Sequence, residues 1–293
     1  MANGGTFHEV RLGLRRDFAD DSYYSSGVQF VRRGYVTVRR LQVLANRLTD
    51  QDREILRTLA RVRVATAVQL EQLHCVAVTR RQFRGRLTTL TGQDLITRLP
   101  RVIGGVRSGS AGYVYALGIA GQKLLHPDER RPQRPWPVGL AFLAHSLAVT
   151  ELYVGIKRAE HLGELTLGDF TTEPACWRSY VGPGGARVVL KPDAAGKLWF
   201  GEFEDHWLIE VDLGTESTTA IARKADRYRQ YWQSGAEEAN TGVHPRTLWL
   251  VPDERRRAAL VEVLGRQPAE SWRLHTVVLF EEAITRLTQG AGS

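Results

Sequence analysis

Cysteine, methionine and long apolar runs are scarce in this sequence. Its 293 residues include two cysteines and one methionine. Cys75 and Cys176 are far apart and belong to no ligand motif, which argues against a disulfide framework or a structural zinc site and favours a reducing compartment. No run approaches the roughly 18 apolar residues of a membrane span, and the first residues lack the apolar core of a signal peptide. The sequence therefore predicts a cytoplasmic protein without membrane contact.

Positive charge is in excess. Forty Lys and Arg residues against 32 Asp and Glu residues give a formal net charge of +8. Arginine supplies most of the positive charge, and its planar guanidinium binds phosphates and base edges through several donors at once. This balance favours a nucleic-acid partner, although it carries no information about the fold.

The length of the chain predicts two domains, because 293 residues exceed the usual size of one. The predicted segments are a basic extension at residues 1–47, a DNA-binding domain at 48–125, a linker at 126–137 and a second domain at 138–290. The linker contains four prolines, which prevent regular secondary structure there.

The DNA-binding domain is predicted from three helices followed by a hairpin. A helix begins at Thr49, a second spans about 66–74 and a third about 79–90. Two β-prone runs separated by Gly and Ser residues follow, which indicates a hairpin. Helices and hairpin together predict a winged helix that binds double-stranded DNA, with the third helix and the wing as the contacting elements. The predicted DNA contacts are Arg80, Arg81, Arg84, Arg86, Arg98, Arg101 and Arg107.

The extension at residues 1–47 mixes arginines with aromatic residues and shows little periodicity. We interpret it as a poorly ordered terminal segment, with an arm that folds onto DNA phosphates as the alternative. Tyr23 and Tyr24 have the chemistry of a DNA-nicking nucleophile, but the sequence has no His-hydrophobe-His motif to support that role.

The second domain is predicted to be an α/β (α+β) structure. Its hydrophobic periodicity predicts a long helix at 140–161, on which His145 and Glu151 lie. The elements predicted after it are strands near 165–172, 188–193 and 207–213, a helix capped by Thr215 or Ser217, a strand at 247–251, a helix at 253–264, a strand at 274–279 and a final helix ending near 288.

Acidic residues end two of these strands. Pro192 and Asp193 close one, and Glu210 and Asp212 close the next along the chain. Since residues two apart in a strand share a face, Glu210 and Asp212 point the same way, as do Lys191 and Asp193. Adjacent carboxylates repel each other unless a cation lies between them, and hard oxygen ligands suit Mg²⁺ or Mn²⁺. A divalent metal site is therefore expected.

These residues resemble the PD-(D/E)XK nuclease pattern, in which a Pro-Asp on one strand is followed by Glu-x-Lys on the next. Pro192, Asp193 and Glu210 match it, whereas Asp212 stands where the lysine is expected. The resemblance implies a restriction-endonuclease-like αβββαβ domain, with Asp193, Glu210 and the carbonyl of Val211 at the metal. It also implies that Lys224, in the next helix, replaces the missing lysine, with Lys191 as the alternative.

A longer stretch, IEVDLGTEST followed by ARKADRYRQYW, is similar to the replication-relaxation family of plasmids and integrative elements. That resemblance implies a winged helix before a nuclease-like domain. The leading hypothesis is metal-dependent DNA nicking or cleavage in replication or mobilisation, with Asp212 as a second metal ligand or as the residue that orients water. The alternatives are an inactive DNA-binding factor and a transcription regulator. The oligomeric state is left open, with a homodimer as the arrangement that would supply two active sites.

In the nuclease fold, an acid of the first helix sometimes completes the metal site. Glu151 is therefore a candidate, although a solvated helix glutamate is the preferred interpretation. For His145 we prefer a buried or capping imidazole.

Overall fold

Threonine caps define the helices of the N-terminal part. The computed structural model describes residues 36–75, 78–99, 112–128 and 140–289. Helix α2 (Asp50–Val62), helix α3 (Ala67–His74) and helix α4 (Arg80–Gly92) begin after Thr49, Thr66 and Thr79 respectively. Each threonine accepts from a main-chain N–H three residues on, and that residue's side chain accepts from the threonine N–H. These reciprocal bonds satisfy donors that a helix start leaves unpaired.

A small sheet completes the N-terminal part. Strand β1 (Val64–Thr66) pairs with β3 (Val114–Leu117), which pairs with β2 (Ile96–Arg98), both antiparallel. Helix α5 (Ile119–Leu125) follows. The order of helices and strands is the one that a winged helix requires, but the tip of the wing, at residues 100–111, lies outside the described residues. The name winged helix therefore stays a prediction, as do the domain boundaries.

Part of the predicted irregular extension is helical. Residues Val38–Arg47 form α1, which is capped by Thr37 and buries Leu44 against the core. Leu41, Leu44 and Leu48 recur at helical spacing and pack on the core, so the amphipathic pattern of this helix was present in the sequence. Residues 1–35, including Tyr23 and Tyr24, lie outside the described residues.

The C-terminal part is built on a mixed five-stranded sheet in the order β10-β9-β8-β7-β4. Strand β8 pairs in parallel with β9 and β9 with β10, whereas β4, β7 and β8 are antiparallel neighbours. The predicted α/β class is confirmed. The strands are β4 (Thr166–Thr172), β7 (Ala194–Phe200), β8 (Phe203–Val211), β9 (Arg246–Val251) and β10 (His275–Leu279).

Helices cover both faces of this sheet. Ile209 and Val211 of β8 belong to a buried cluster with residues of α6 (Leu140–His161) and α10 (Ala283–Thr288). Leu208 faces the opposite way and packs with α7 (Thr218–Gln233) and α9 (Glu254–Gly265). The first cluster also contains residues of α2, α3 and α4, so the core runs from one part of the chain into the other. The short helix α8 (Ala236–Thr241) follows α7. Among the described residues, no helix has the length and apolar character needed to cross a membrane.

One predicted strand is wrong in its position. A separate antiparallel pair is formed by β5 (Arg178–Val181) and β6 (Arg187–Leu190). Residues 191–193 are irregular, and the strand beside β8 starts only at Ala194. The segment AAGKLWF has weak strand propensity because of its Ala, Gly and Lys residues, and it becomes a strand by pairing on both sides. Lys191 and Asp193 therefore share no strand face, and the Lys191 Nζ lies 4.5 Å from the centre of the Trp177 ring.

The burial of His275 predicts a loss of stability in mild acid. Burial lowers the pKa of His275 from 6.5 to about 4. The folded protein therefore takes up this proton only below the pH at which the unfolded chain does, so stability is complete above about pH 6.5 and falls as the pH approaches 4. We expect a loss of roughly 1–3 kcal/mol, measured by urea unfolding at pH 7 and pH 4.5. His275→Gln keeps an acceptor for the Trp249 indole N–H, which donates to His275 Nδ1 at 3.2 Å, and should show a smaller loss. An equal loss in both proteins would contradict this assignment.

Candidate active site and nucleic-acid interface

Asp193 lies at the end of the central sheet, just before β7. Its main-chain N–H donates to the carbonyl of Ile209 at 3.0 Å. Its Oδ2 accepts from the main-chain N–H of Val211 at 2.7 Å. Both bonds reach β8, so they fix the carboxylate next to the end of that strand. The side chain is 13% exposed and is the more accessible of the two predicted metal-binding acids.

Glu210 is buried beside it. The residue is 1% exposed, and its carboxylate accepts from Lys224 Nζ at 2.8 Å and from the Tyr228 hydroxyl. Burial, with the nearby charge of Asp193, raises the pKa of Glu210, and the Lys224 ammonium only partly offsets this. The Asp193 carboxylate thus increases the affinity of Glu210 for a positive charge.

The lysine predicted to have moved into the helix reaches Glu210. Helix α7 begins after Ser217, whose hydroxyl accepts from the Ala220 N–H. One turn later, Lys224 Nζ bonds Glu210 and lies 3.0 Å from Glu216 Oε1. Burial alone would lower the pKa of Lys224, but its acidic neighbours outweigh burial and raise it, so the ammonium is charged at neutral pH. Tyr228, four residues on, lies on the same face of the helix, and its i, i+4 spacing from Lys224 is the sequence signal that indicates it.

Asp212 is engaged away from Asp193. Its Oδ2 accepts from Arg256 Nε at 2.7 Å, and its Oδ1 accepts from the Gly214 N–H at 2.7 Å. Arg256 also donates to the carbonyl of Glu216 at 2.6 Å. Asp212 is 4% exposed, and it anchors the turn between β8 and α7 to α9. The predicted roles of Asp212, in a second metal site or in orienting water, are not tested by these contacts.

Of the two α6 candidates, His145 and not Glu151 faces Asp193. Its Nε2 lies 3.2 Å from Asp193 Oδ1. The hydrogen bond to Asp193 raises the pKa of His145, although burial works in the opposite direction. Glu151 is exposed, and its carboxylate accepts a hydrogen bond from Gln69 of α3 at 2.7 Å. Sequence periodicity placed both residues on the helix but could not decide which side chain meets the strand end.

The donors at this position fit a small hard cation. Asp193 and Glu210 offer carboxylate oxygens, and Val211, fixed by its N–H to Asp193, offers a main-chain carbonyl. Burial raises the pKa of Glu210, and a cation bound beside it would favour the ionised carboxylate. Within the described ranges, no group of three or more His, Cys, Asp and Glu side chains could hold a metal. A bound Mg²⁺ or Mn²⁺ would therefore take most of its remaining ligands from water, which Mg²⁺ commonly does.

The predicted DNA-contacting arginines separate into two groups on α4. Arg80 and Arg81 are exposed, with the Arg80 side chain 84% exposed. Arg84 is 60% exposed, and its Nε donates to Glu71 of α3. Gly85, which follows Arg84, has no atom outside its own helical turn within 4 Å of the position that a Cβ would take, so the helix surface beside these arginines is open. These three arginines remain available to a polyanion.

Arg86 is different because it forms an ion pair with a fully buried acid. Its guanidinium donates through Nε and Nη2 to both carboxylate oxygens of Asp52, which is 0% exposed. Burial alone would raise the pKa of Asp52, but the hydrogen bonds from Arg86 and Thr49 hold it below its usual value. Arg86 thus stabilises the packing of α4 on α2.

The predicted contacts on the wing are only partly described. Arg98 is exposed, and its guanidinium carbon lies 4.0 Å from the centre of the Tyr113 ring. Arg101 and Arg107 lie outside the described residues.

Comparison with known proteins gives a family match. The model of the family described as replication-relaxation matches residues 56–247, well over half of the chain. A search of curated proteins found no match. Among solved structures, the restriction endonuclease FokI bound to DNA is similar at 12% identity, with a TM-score of 0.25. That match covers 86% of this chain and 48% of the other, so the chain spans about half of that protein's length. A TM-score of this size supports no conclusion about fold or activity.

Proposed function

The chain belongs to the replication-relaxation family, and from this we propose that it binds double-stranded DNA of a plasmid or other mobile element and nicks or cleaves it with Mg²⁺ or Mn²⁺ during replication or mobilisation. The observation that carries the proposal is the convergence of Asp193, Glu210 and Lys224 at one end of the sheet. Two carboxylates with a lysine beside them form a donor set suited to phosphodiester chemistry.

Each residue of this set has a distinct task. Asp193 and Glu210, with the carbonyl of Val211, would hold the cation, which when bound would polarise the phosphate and lower the pKa of a water. His145 and the Val211 N–H orient the Asp193 carboxylate. Lys224 holds Glu210 and keeps an ammonium charge beside the position where the phosphate's negative charge increases. Asp212 fixes the turn that leads into α7.

Cleavage of supercoiled plasmid tests this function. Incubation with the protein and Mg²⁺ or Mn²⁺ is expected to produce nicked or linear DNA, and a chelator should stop the conversion. A salt-dependent gel shift without any cleavage would contradict the enzymatic part of the proposal.

The second candidate is a DNA-binding factor whose nuclease-like part is a scaffold. It is favoured by Asp212, which stands at the lysine position of the motif and is paired with Arg256. Both oxygens of Glu210 are also already hydrogen-bonded, by Lys224 and by Tyr228. Under this alternative the gel shift persists, and added metal changes neither the DNA nor its affinity.

The exposed arginines of α4 are expected to carry DNA binding. Changing Arg80, Arg81 and Arg84 together to Ala should remove up to three phosphate contacts, which flattens the dependence of log K on log salt by up to about three and weakens binding at physiological salt at least about tenfold. Fluorescence anisotropy across a salt series measures this. A matched control is the change to Ala of three exposed arginines elsewhere: Arg57 of α2, Arg255 of α9 and Arg266, which directly follows α9. Equal affinities in the two triple variants would exclude α4 as the contacting helix.

A further inference from the structure

Arg63 has an unusual backbone conformation at the junction between α2 and β1. Its φ is 69° and its ψ is −48°, and its N–H donates to the carbonyl of Leu59. This region is close to the rare γ-turn conformation, which is strained for any residue with a Cβ and is relaxed for glycine. A strained residue that is not glycine directs attention to its side chain, since such strain concentrates at functional sites.

The Arg63 side chain borders the candidate active site. It lines the same cavity as His145, Glu173 and Asp193. Its Nη1 lies 3.3 Å from Glu173 Oε1, and its guanidinium carbon lies 5.0 Å from the centre of the Phe142 ring. The side chain is 41% exposed, and an ion pair this accessible contributes little to stability. These contacts place the guanidinium beside Glu173, which lines the cavity, but do not explain why the strained position carries an arginine.

Hydrogen bonds hold the two parts of the chain together around this residue. The Thr150 hydroxyl of α6 donates to the carbonyl of Val64 at 2.7 Å, and the Thr172 hydroxyl of β4 donates to the carbonyl of Arg61 at 2.6 Å. Both bonds join the residues next to Arg63 to the C-terminal part. The position of Arg63 on the wall of this cavity is therefore fixed by the fold.

We propose that Arg63, which comes from the N-terminal part, is a substrate-binding residue of the site in the C-terminal part: its guanidinium binds a backbone phosphate of the DNA strand presented to Asp193. The proposal rests on the proposed function for its account of cleavage, but the phosphate contact itself does not require cleavage.

The charges around the cavity favour this assignment. Asp193 and Glu173 place two carboxylates on its wall, and a guanidinium there offsets their repulsion of an approaching phosphate, in addition to the cation proposed at Asp193. Lys224 is bonded to Glu210 and Glu216, whereas Arg63 is accessible and keeps donors beyond the one directed at Glu173. A guanidinium presents five N–H donors in a plane, which matches the geometry of a phosphate.

Arg63→Gly separates this role from a structural one. Glycine relaxes the backbone, so the variant should unfold at the same urea concentration as the wild type or a higher one. Its plot of log K against log salt for a short duplex should be shallower by about one, as expected when one phosphate contact is lost. Plasmid nicking should fall about tenfold or more. Arg57→Ala, on an exposed position of α2, is the control and should change none of these quantities.

The binding and nicking measurements test separate parts of the proposal. If the wild type does not nick, the proposed catalysis is wrong, but the salt slope still tests the phosphate contact. If Arg63→Gly and Arg57→Ala give the same salt slope and the same nicking rate, Arg63 does not bind DNA. Arg63→Gln, which keeps a side chain on the strained backbone, should reproduce the shallower slope; a slope equal to that of the wild type would also overturn the proposal.

Discussion

Asp193→Asn is expected to slow the conversion of supercoiled plasmid by about a hundredfold or more, the size of effect seen when one preorganised electrostatic group is removed from an active site. Asparagine is the same size, and its carbonyl oxygen can still accept from the Val211 N–H, so the fold should be kept. What is lost is the negative charge that a divalent cation requires. DNA affinity, which we assign mainly to α4, should stay within about twofold, because the amide leaves the phosphate contacts in place.

A matched control for this change is available on α7. Asp226 is 40% exposed and bonds Arg229 and Gln230 on its own helix, so Asp226→Asn should nick plasmid at the wild-type rate. Lys224→Met is a poorer probe, because it leaves Glu210 buried without its cation and so combines loss of stability with loss of activity. Wild-type nicking by Asp193→Asn would exclude the carboxylate pair as the reacting centre.

Arg86→Met is expected to lower the free energy of unfolding by about 3–5 kcal/mol, since it leaves the fully buried Asp52 carboxylate without its partner. Asp52 also closes the capping box at the start of α2, so the unpaired charge affects a helix start as well. Urea unfolding at neutral pH, followed by circular dichroism, measures the change.

The control for Arg86→Met is Arg81→Met, on an exposed position of the same helix. It should alter stability by no more than about 0.5 kcal/mol. At urea concentrations where both variants are folded, Arg86→Met should bind DNA as the wild type does, while Arg81→Met should bind more weakly. Equal stabilities would mean that the Asp52–Arg86 pair contributes nothing to the packing of α4, and weaker binding by folded Arg86→Met would show that Arg86 contacts DNA as the sequence predicts.

The caps and the periodic helices could be predicted from local sequence. Thr49 and Ser217 mark helix starts through their own side-chain bonds, and Asp253 does the same for α9. The strand at 188–193 was placed wrongly because its neighbour AAGKLWF has no strand signal of its own. Helix α1 was also predictable from local sequence, since Leu41, Leu44 and Leu48 recur at helical spacing after the Thr37 cap.

The sequence could predict which residues belong to the candidate site, but it could predict few of the contacts between them. The motif identified Asp193, Glu210 and Lys224, and the structure brings the last two into direct contact. The pairing of Asp212 with Arg256 depends on a helix more than 40 residues away along the chain, so no local pattern could indicate it.

By itself, the sequence determined the α/β class, the order of most helices and strands, the arginine-rich helix and the acids that belong to one motif. Each of these depends on residue type and on spacing over a few positions. Only the tertiary structure decided that Arg86 stabilises the core, that His145 instead of Glu151 meets Asp193, and that Arg63 of the N-terminal part lines the cavity of the C-terminal part. The physical reason is that a side chain's direction and partner depend on the packing of elements that are distant in sequence. That packing decides whether the side chain is buried, which charges surround it and which residues it can contact.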